Sequence, residues 1–161
     1  MIKRASIALV SLALAVTGPS VALGASHHHK RHKHKIADTV QQTILSSTGN
    51  PPAPNSSAVV VGSVHGKPGP GAVVGRTVFG STPGSFTGTG TTFFKNGSVK
   101  ASLKGTGTLN PDGSESFSGT GKVLGGTGAY KHSKGTFKFS GSQPKGSNVQ
   151  TYSVRGHYTT P

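Results

Sequence analysis

Residues 98–109 read Ser98-Val99-Lys100-Ala101-Ser102-Leu103-Lys104-Gly105-Thr106-Gly107-Thr108-Leu109. One parity carries Val99, Ala101, Leu103, Gly105, Gly107 and Leu109. The other carries Ser98, Lys100, Ser102, Lys104, Thr106 and Thr108. Successive side chains of a strand point to opposite faces, so strict alternation of this kind predicts a β-strand with one apolar and one wet face. Turn chemistry brackets it. Asn96-Gly97 is a hairpin signal, and Asn110-Pro111-Asp112-Gly113 supplies a rigid φ, an Asx acceptor and a glycine in turn order. A wet-faced strand between tight turns belongs to an antiparallel sheet.

The same grammar extends in both directions. It predicts strands over 58–65, 72–80, 85–94, 98–109, 114–124, 135–140 and 149–159, with room for one more strand or a short helix around Ala129–Ser133. In the last strand Tyr152, Val154, Gly156 and Tyr158 share a face opposite Thr151, Ser153, Arg155 and His157. The chain holds 25 Gly and only 31% hydrophobic residues, too few for a thick core. A small closed barrel suits that composition because closure removes the sheet edges. The fold class expected is all-β, one antiparallel barrel of about eight strands.

A large apolar residue followed by two glycines at alternate positions recurs three times: Phe86/Gly88/Gly90, Leu103/Gly105/Gly107 and Phe117/Gly119/Gly121. Each interior glycine costs ~0.5–1 kcal/mol relative to alanine, so geometry must require them. Two readings fit. The glycines serve sheet curvature around a filled interior, or they clear space for a pocket. In the second reading the pocket walls are Phe79, Phe86, Phe117, Phe137, Phe139, Tyr152 and Tyr158, which are the candidate ligand-binding residues.

The segment Gly125-Gly126-Thr127-Gly128-Ala129-Tyr130, closed by Gly135, resembles the G-G-T-G-x-[FY] signature of the dirigent and allene oxide cyclase-like barrels. Phe94-Lys95-Asn96-Gly97-Ser98-Val99 is similar to the preceding hairpin of bacterial members. The resemblance implies a calycin-like, eight-stranded antiparallel barrel with a mostly apolar cavity, and it admits a homo-oligomer, since plant members are commonly trimers. It places Tyr130 beneath the barrel as a structural plug. Dirigent-like or cyclase-like chemistry relies on acidic groups in the cavity. From residue 58 onward the carboxylates are Asp112, in its turn, and Glu115, which shares parity with Phe117 and is the one weak catalytic candidate. A solvated strand end is the competing role for Glu115, so no catalytic set is carried over.

The start of the chain reads differently. Residues 1–25 have the form of a signal peptide: Lys3 and Arg4, an apolar run from Ala5 to Val16, a Gly18-Pro19 break, and small residues after it. That run is too short to span a membrane, which needs ~20 apolar residues. The expectation is a secreted, extracellular or envelope-associated protein. Residues 26–57 are expected to be a disordered His-rich basic tail and a Pro-rich linker, with the barrel over 58–161. The tail contains His27, His28, His29, His32 and His34 among lysines and an arginine. Metal capture by these imidazoles competes with a solvated basic arm. Ile36, Val40 and Ile44 recur every four residues, as on a helix face, although β-branched residues weaken a helix there.

Charge bounds the partners. Lys and Arg number 17 against 3 Asp and Glu, a net charge of +14. An anionic cell-envelope polymer is therefore an expected partner, beside a small hydrophobic ligand inside the barrel. Specific nucleic-acid recognition is not expected, because the aromatics share the inner parity while the lysines lie outside. No cysteine is present, no cofactor motif appears, and the paired carboxylates of acid–base catalysis are missing. Three functions follow in order of preference: a ligand-binding barrel, a polyanion-binding surface protein, and a dirigent-like or cyclase-like enzyme.

Overall fold

The computed structural model describes residues 31–49 and 53–160. The proposed signal peptide over 1–25 lies outside the described residues, as do His27, His28 and His29. Eight strands follow in chain order: β1 (His32–Thr48), β2 (Ser57–Lys67), β3 (Gly71–Phe79), β4 (Ser85–Phe94), β5 (Gly97–Leu109), β6 (Glu115–Gly126), β7 (Lys134–Gln143) and β8 (Val149–Thr160). Each pairs antiparallel with the next, and β1 pairs with β8, so the sheet closes into an up-and-down barrel. A single 3₁₀ turn, Gly128–Tyr130, interrupts the meander between β6 and β7. No helix among the described residues is long and apolar enough to cross a membrane.

The seven strands expected past residue 58 are all present. The barrel itself begins earlier than expected. Residues 32–48, read as tail, form β1, the longest strand and the one that closes the cylinder. Its inner positions are Ile36, Asp38, Val40, Gln42 and Ile44. Polar residues occupy every second inner site, so a period of two shows itself in the apolar residues alone as a period of four. The resulting pattern imitated a helix face. The charge-rich start of β1 lies at a barrel end, where His32 and Lys33 are exposed.

Rings and glycines meet across the strands. In register, Phe86 faces Gly105, Phe117 faces Gly107 and Gly141, Phe137 faces Gly121 and Gly156, and Phe139 faces Gly119. Tyr152 faces Gly141 and Tyr158 faces Gly135. A glycine beside a ring has no Cβ to hold the ring off, so the tip of the ring reaches over the neighbouring strand. A Cβ at Gly105 would meet the Phe86 ring at 2.7 Å and the Phe139 ring at 3.0 Å. Of the six repeat glycines, Gly105, Gly119 and Gly121 are the seats of aromatic side chains, whereas Gly88 lies against Leu103 and Gly90 against the β3 backbone; rings seated along the wall leave the axis open.

The 3₁₀ turn closes one end of the barrel. Thr127 is tied to the β4–β5 hairpin through backbone and side chain: its N–H donates to Ser98 O at 2.9 Å, and its Oγ1 accepts from Ser98 N at 3.0 Å. Ala129 N donates to Asn96 O at 2.9 Å. Between them Gly128 holds φ +57 against the Asn96 carbonyl, a conformation and a contact that require glycine. The turn thereby carries Tyr130 under the barrel, 6% exposed. Its ring lies 5.5 Å from Phe94 and 6.0 Å from Tyr158, and Ile36 and Val123 complete this buried cluster.

Two glycines separate seating from mere tolerance. A Cβ at Gly119 would press on the Lys104 carbonyl oxygen, on the Phe139 ring at 2.6 Å and on Gly105 Cα at 2.7 Å, whereas at Gly107 nothing lies closer than 3.8 Å. Gly119→Ala should lower unfolding stability by about 1–3 kcal/mol, the range for forced overpacking. Gly107→Ala should be neutral or stabilising by up to ~1 kcal/mol. Chemical denaturation of both variants tests this, and equal effects would refute the seating role.

Candidate ligand-binding cavity

Inner side chains of all eight strands line one cavity of about 780 Å³, capped by Tyr130 at one end and open at the other. That size lies within the range of small-molecule sites, roughly 300–1,000 Å³. All seven ring residues named from sequence line it: Phe79, Phe86, Phe117, Phe137, Phe139, Tyr152 and Tyr158. Five form a continuous belt. Phe79 meets Phe86 with ring centres 6.4 Å apart, Phe86 meets Phe139 at 6.2 Å, Phe139 meets Tyr152 at 6.2 Å, and Tyr152 meets Phe117 at 5.9 Å. Phe137 and Tyr158 belong to the closed end. Such tilted and edge-on pairs add ~0.5–1.5 kcal/mol each beyond area burial.

Above the belt the wall is polar. Tyr152 donates its hydroxyl to Gln42 Oε1 at 3.1 Å, Gln42 Nε2 donates to Gln150 Oε1 at 2.6 Å, and Gln150 Nε2 donates to Gln143 Oε1 at 2.7 Å. Gln143 in turn donates to the Ser147 carbonyl. The bonds all run in one sense across β1, β8 and β7, so each amide is oriented by its neighbour. Burial pushes the Tyr152 phenol up to about 12 and keeps it a donor. Sequence reasoning did not single out these glutamines. Gln150 shares the parity of Tyr152, which was the available signal, but Gln42 sat in the presumed tail.

The larger omission is a carboxylate. Asp38, on β1, lines the cavity and is 9% exposed, in register with Val154 on one side and Gly66 on the other. The interior therefore contains an acid besides Glu115, which corrects the expectation that only Asp112 and Glu115 were available. Desolvation pushes the Asp38 carboxyl up to about 6, opposed by a hydrogen bond from the Lys67 backbone N–H. Its Oδ1 is buried with no partner. Its charge also raises the phenols of Tyr130 and Tyr158, secondary to their own burial.

The other sequence candidates are more dispersed. Glu115 opens β6 at the wide mouth, half-buried and in register with Gln143. It lies at the end opposite Asp38, so the two carboxyls do not form a pair. Asp112 accepts from Ser114 N at 2.9 Å and Ser114 Oγ at 2.7 Å, which holds the turn and lowers its pKa. His32 and His34 sit on β1 as strand residues. His34 stacks on Tyr158 at 4.9 Å and shares a 3.1 Å hydrogen bond with Thr160 Oγ1. Among the described residues no three His, Cys, Asp or Glu side chains gather as metal ligands.

No protein-family model matches the chain, and no curated protein matches it in sequence. The solved structure of the pterocarpan synthase dirigent protein GePTS1 is similar in fold, with a TM-score of 0.51 over 84% of this chain and 90% of that one, at 10% identity. The fold is a dirigent-like barrel. At that identity the likeness concerns the path of the backbone, and the cavity of this dirigent-like barrel must be read from its own side chains.

The buried acid gives the barrel a pH signature. A carboxyl whose folded pKa is raised favours the folded state most below the unfolded value, ~3.9, and that contribution is lost as pH climbs through about 6. Asp38→Asn should therefore stabilise the protein at pH 8, by at most about 3 kcal/mol for a displacement of ~2 pH units. The gain should shrink on acidification and vanish below about pH 4. Paired thermal melts across this range check it, and a difference that is flat with pH would mean that Asp38 is well solvated.

Proposed function

We propose that this is a secreted binding protein that holds a small apolar or aromatic molecule inside the barrel. One observation carries the reading: a cavity of about 780 Å³ walled by a belt of rings, closed below by Tyr130 and open above. An apolar guest would replace contacts with water by contacts with ring faces, worth ~25 cal/mol per Å² removed from solvent. The ring seats favour such a guest, because aromatic side chains held against the wall leave the axis free. Binding is preferred to catalysis because Asp38 and Glu115 stand at opposite ends and offer no acid–base couple. The test is titration with Nile red, a neutral apolar dye. One dye per barrel should bind with a strong rise in emission, and Ala101→Phe, which fills the cavity from β5, should weaken binding by about tenfold or more, equivalent to ~1.4 kcal/mol. A failure to bind, or affinity unchanged by Ala101→Phe, would overturn the reading.

A second reading concerns the outer wall. Register places Lys104, Thr120, Lys138 and Arg155 in one row across β5–β8, and Ser102, Lys122, Thr136 and His157 in the next, with Lys35 of β1 following His157. Strands lie ~4.8 Å apart, so cations interspersed with hydroxyls recur at intervals suited to a chain of oxyanions. A shallow groove runs between these rows. The three acids lie elsewhere, inside the barrel, in the β5–β6 turn and at the mouth. We infer that this wall is the contact for an anionic envelope polymer. On heparin, a sulfated stand-in, the triple variant Lys104→Ala/Lys138→Ala/Arg155→Ala should elute at lower salt, and the slope of log affinity against log salt should fall by roughly 2–3. Elution independent of salt or of these residues would count against the contact.

A further inference from the structure

The closed end of the cavity holds a charge imbalance. Its carboxyl belongs to Asp38, whose Oδ1 is buried without a partner. An ionised carboxylate has about four acceptor positions, and Asp38 receives one protein hydrogen bond, from the backbone N–H of Lys67. One basic residue, Arg76, also borders the cavity, but its side chain is exposed and donates to the buried Ser57 Oγ at 3.1 Å, at the start of β2 and so at the end away from Asp38. Among the described residues Asp38 is thus the charged side chain that lines the closed end, while Arg76 and Glu115 border the cavity nearer the open end and the lysines occupy the outside.

We propose that the closed end is a subsite for a protonated amine, with the Asp38 carboxylate as its counter-ion, so that the barrel's guest is an apolar or aromatic amine. The inference rests on the reading of the barrel as a ligand-binding protein and specifies the class of ligand. The physical reason is complementarity. A buried charge left unpaired costs free energy that an opposite charge with matched hydrogen bonds restores. An ammonium supplies both charge and donors, and N⁺–H···O⁻ bonds are roughly twice as strong as neutral ones. The aromatic walls add to this: Tyr130 and Tyr158 present rings beside Asp38, and Phe94 and Phe137 pack against them, so a cation there gains ring-face attraction as well. A neutral alcohol would satisfy one acceptor and leave the charge uncompensated, and a carboxylate guest would be repelled. A metal ion is a poor fit, because a single carboxyl with no His or Cys beside it is too few ligands.

The titratable and charged groups around Asp38 are limited. Tyr130 faces it from the 3₁₀ turn, Tyr158 from β8, His34 from β1 through its stack on Tyr158, and Lys67 from β2 through its backbone N–H. Below about pH 6 protonation of Asp38 removes the counter-ion and weakens an amine. His34 stacks on Tyr158 at the same end, so His34→Gln is the control that isolates Asp38.

The test uses three probes of one shape: 2-naphthylmethylamine, 2-naphthalenemethanol and 2-naphthoate. The chain has no Trp, so naphthalene emission is read against the weak background of its 3 Tyr. At pH 8 the amine should bind about tenfold or more tighter than the alcohol, and the naphthoate weakest. In Asp38→Asn the amine-to-alcohol ratio should fall to about one with the alcohol's affinity nearly unchanged, as expected when only the charge is removed. In the unaltered protein, and equally in His34→Gln, the ratio should fall between pH 8 and pH 5. This pH series decides the matter even if Asp38→Asn does not fold. Equal binding of amine and alcohol, or preference for naphthoate, overturns the amine subsite while the barrel still binds. Failure of all three probes overturns the barrel reading along with it.

Discussion

Aromatic rings in this protein lie over glycines of the neighbouring strand, and most of the architecture depends on that one contact. Where a Cβ would stand, Gly105, Gly119 and Gly121 receive Phe86, Phe139 and Phe137. The pairing has two consequences. Each ring reaches across to the neighbouring strand and packs on its backbone, which helps a chain with 31% hydrophobic residues stabilise a closed sheet. The same geometry keeps the rings off the barrel axis. A barrel of this strand number is usually filled by its own side chains. Here the glycines spread the apolar material along the wall, and the hollow is the result.

The two ends of that hollow are built by different means. At the closed end, backbone bonds tie Thr127 and Ala129 to the β4–β5 hairpin and position Tyr130, so the G-G-T-G segment works as a latch between two loops distant in sequence. At the open end, glutamine amides joined in one direction stiffen the wall near the mouth. Between them lies an apolar belt. A guest entering from the mouth passes from polar amides to ring faces and then to a single buried acid. Such a gradient orients an amphiphilic molecule with its polar group innermost.

Charge is segregated as cleanly as polarity. The outer face of β5–β8 carries lysines and an arginine in register, whereas the acids bordering the cavity are Asp38 on β1 and Glu115 at the start of β6. One face of each strand meets water and the other meets the cavity, so alternation in sequence puts the lysines of β1 and β6 on the side opposite these acids. The two surfaces can take different partners without competing for residues.

The amino-acid order alone determined the strand positions past residue 58, the inward parity of the seven rings, and the Gly-Gly-Thr-Gly turn. Each depends on periodicity or turn chemistry confined to a dozen neighbours. The identity of the closing strand was not legible, because that strand alternates Ile36, Asp38, Val40, Gln42 and Ile44, and its polar inner residues concealed the period of two. Its burial arises from pairing with β8, more than a hundred residues away. The same non-local pairing turned Asp38 from a residue of an assumed tail into the acid of the cavity. Whether the interior is filled or hollow also waited on tertiary structure. That outcome depends on which glycine stands opposite which ring, a matter of register between strands that no single strand encodes.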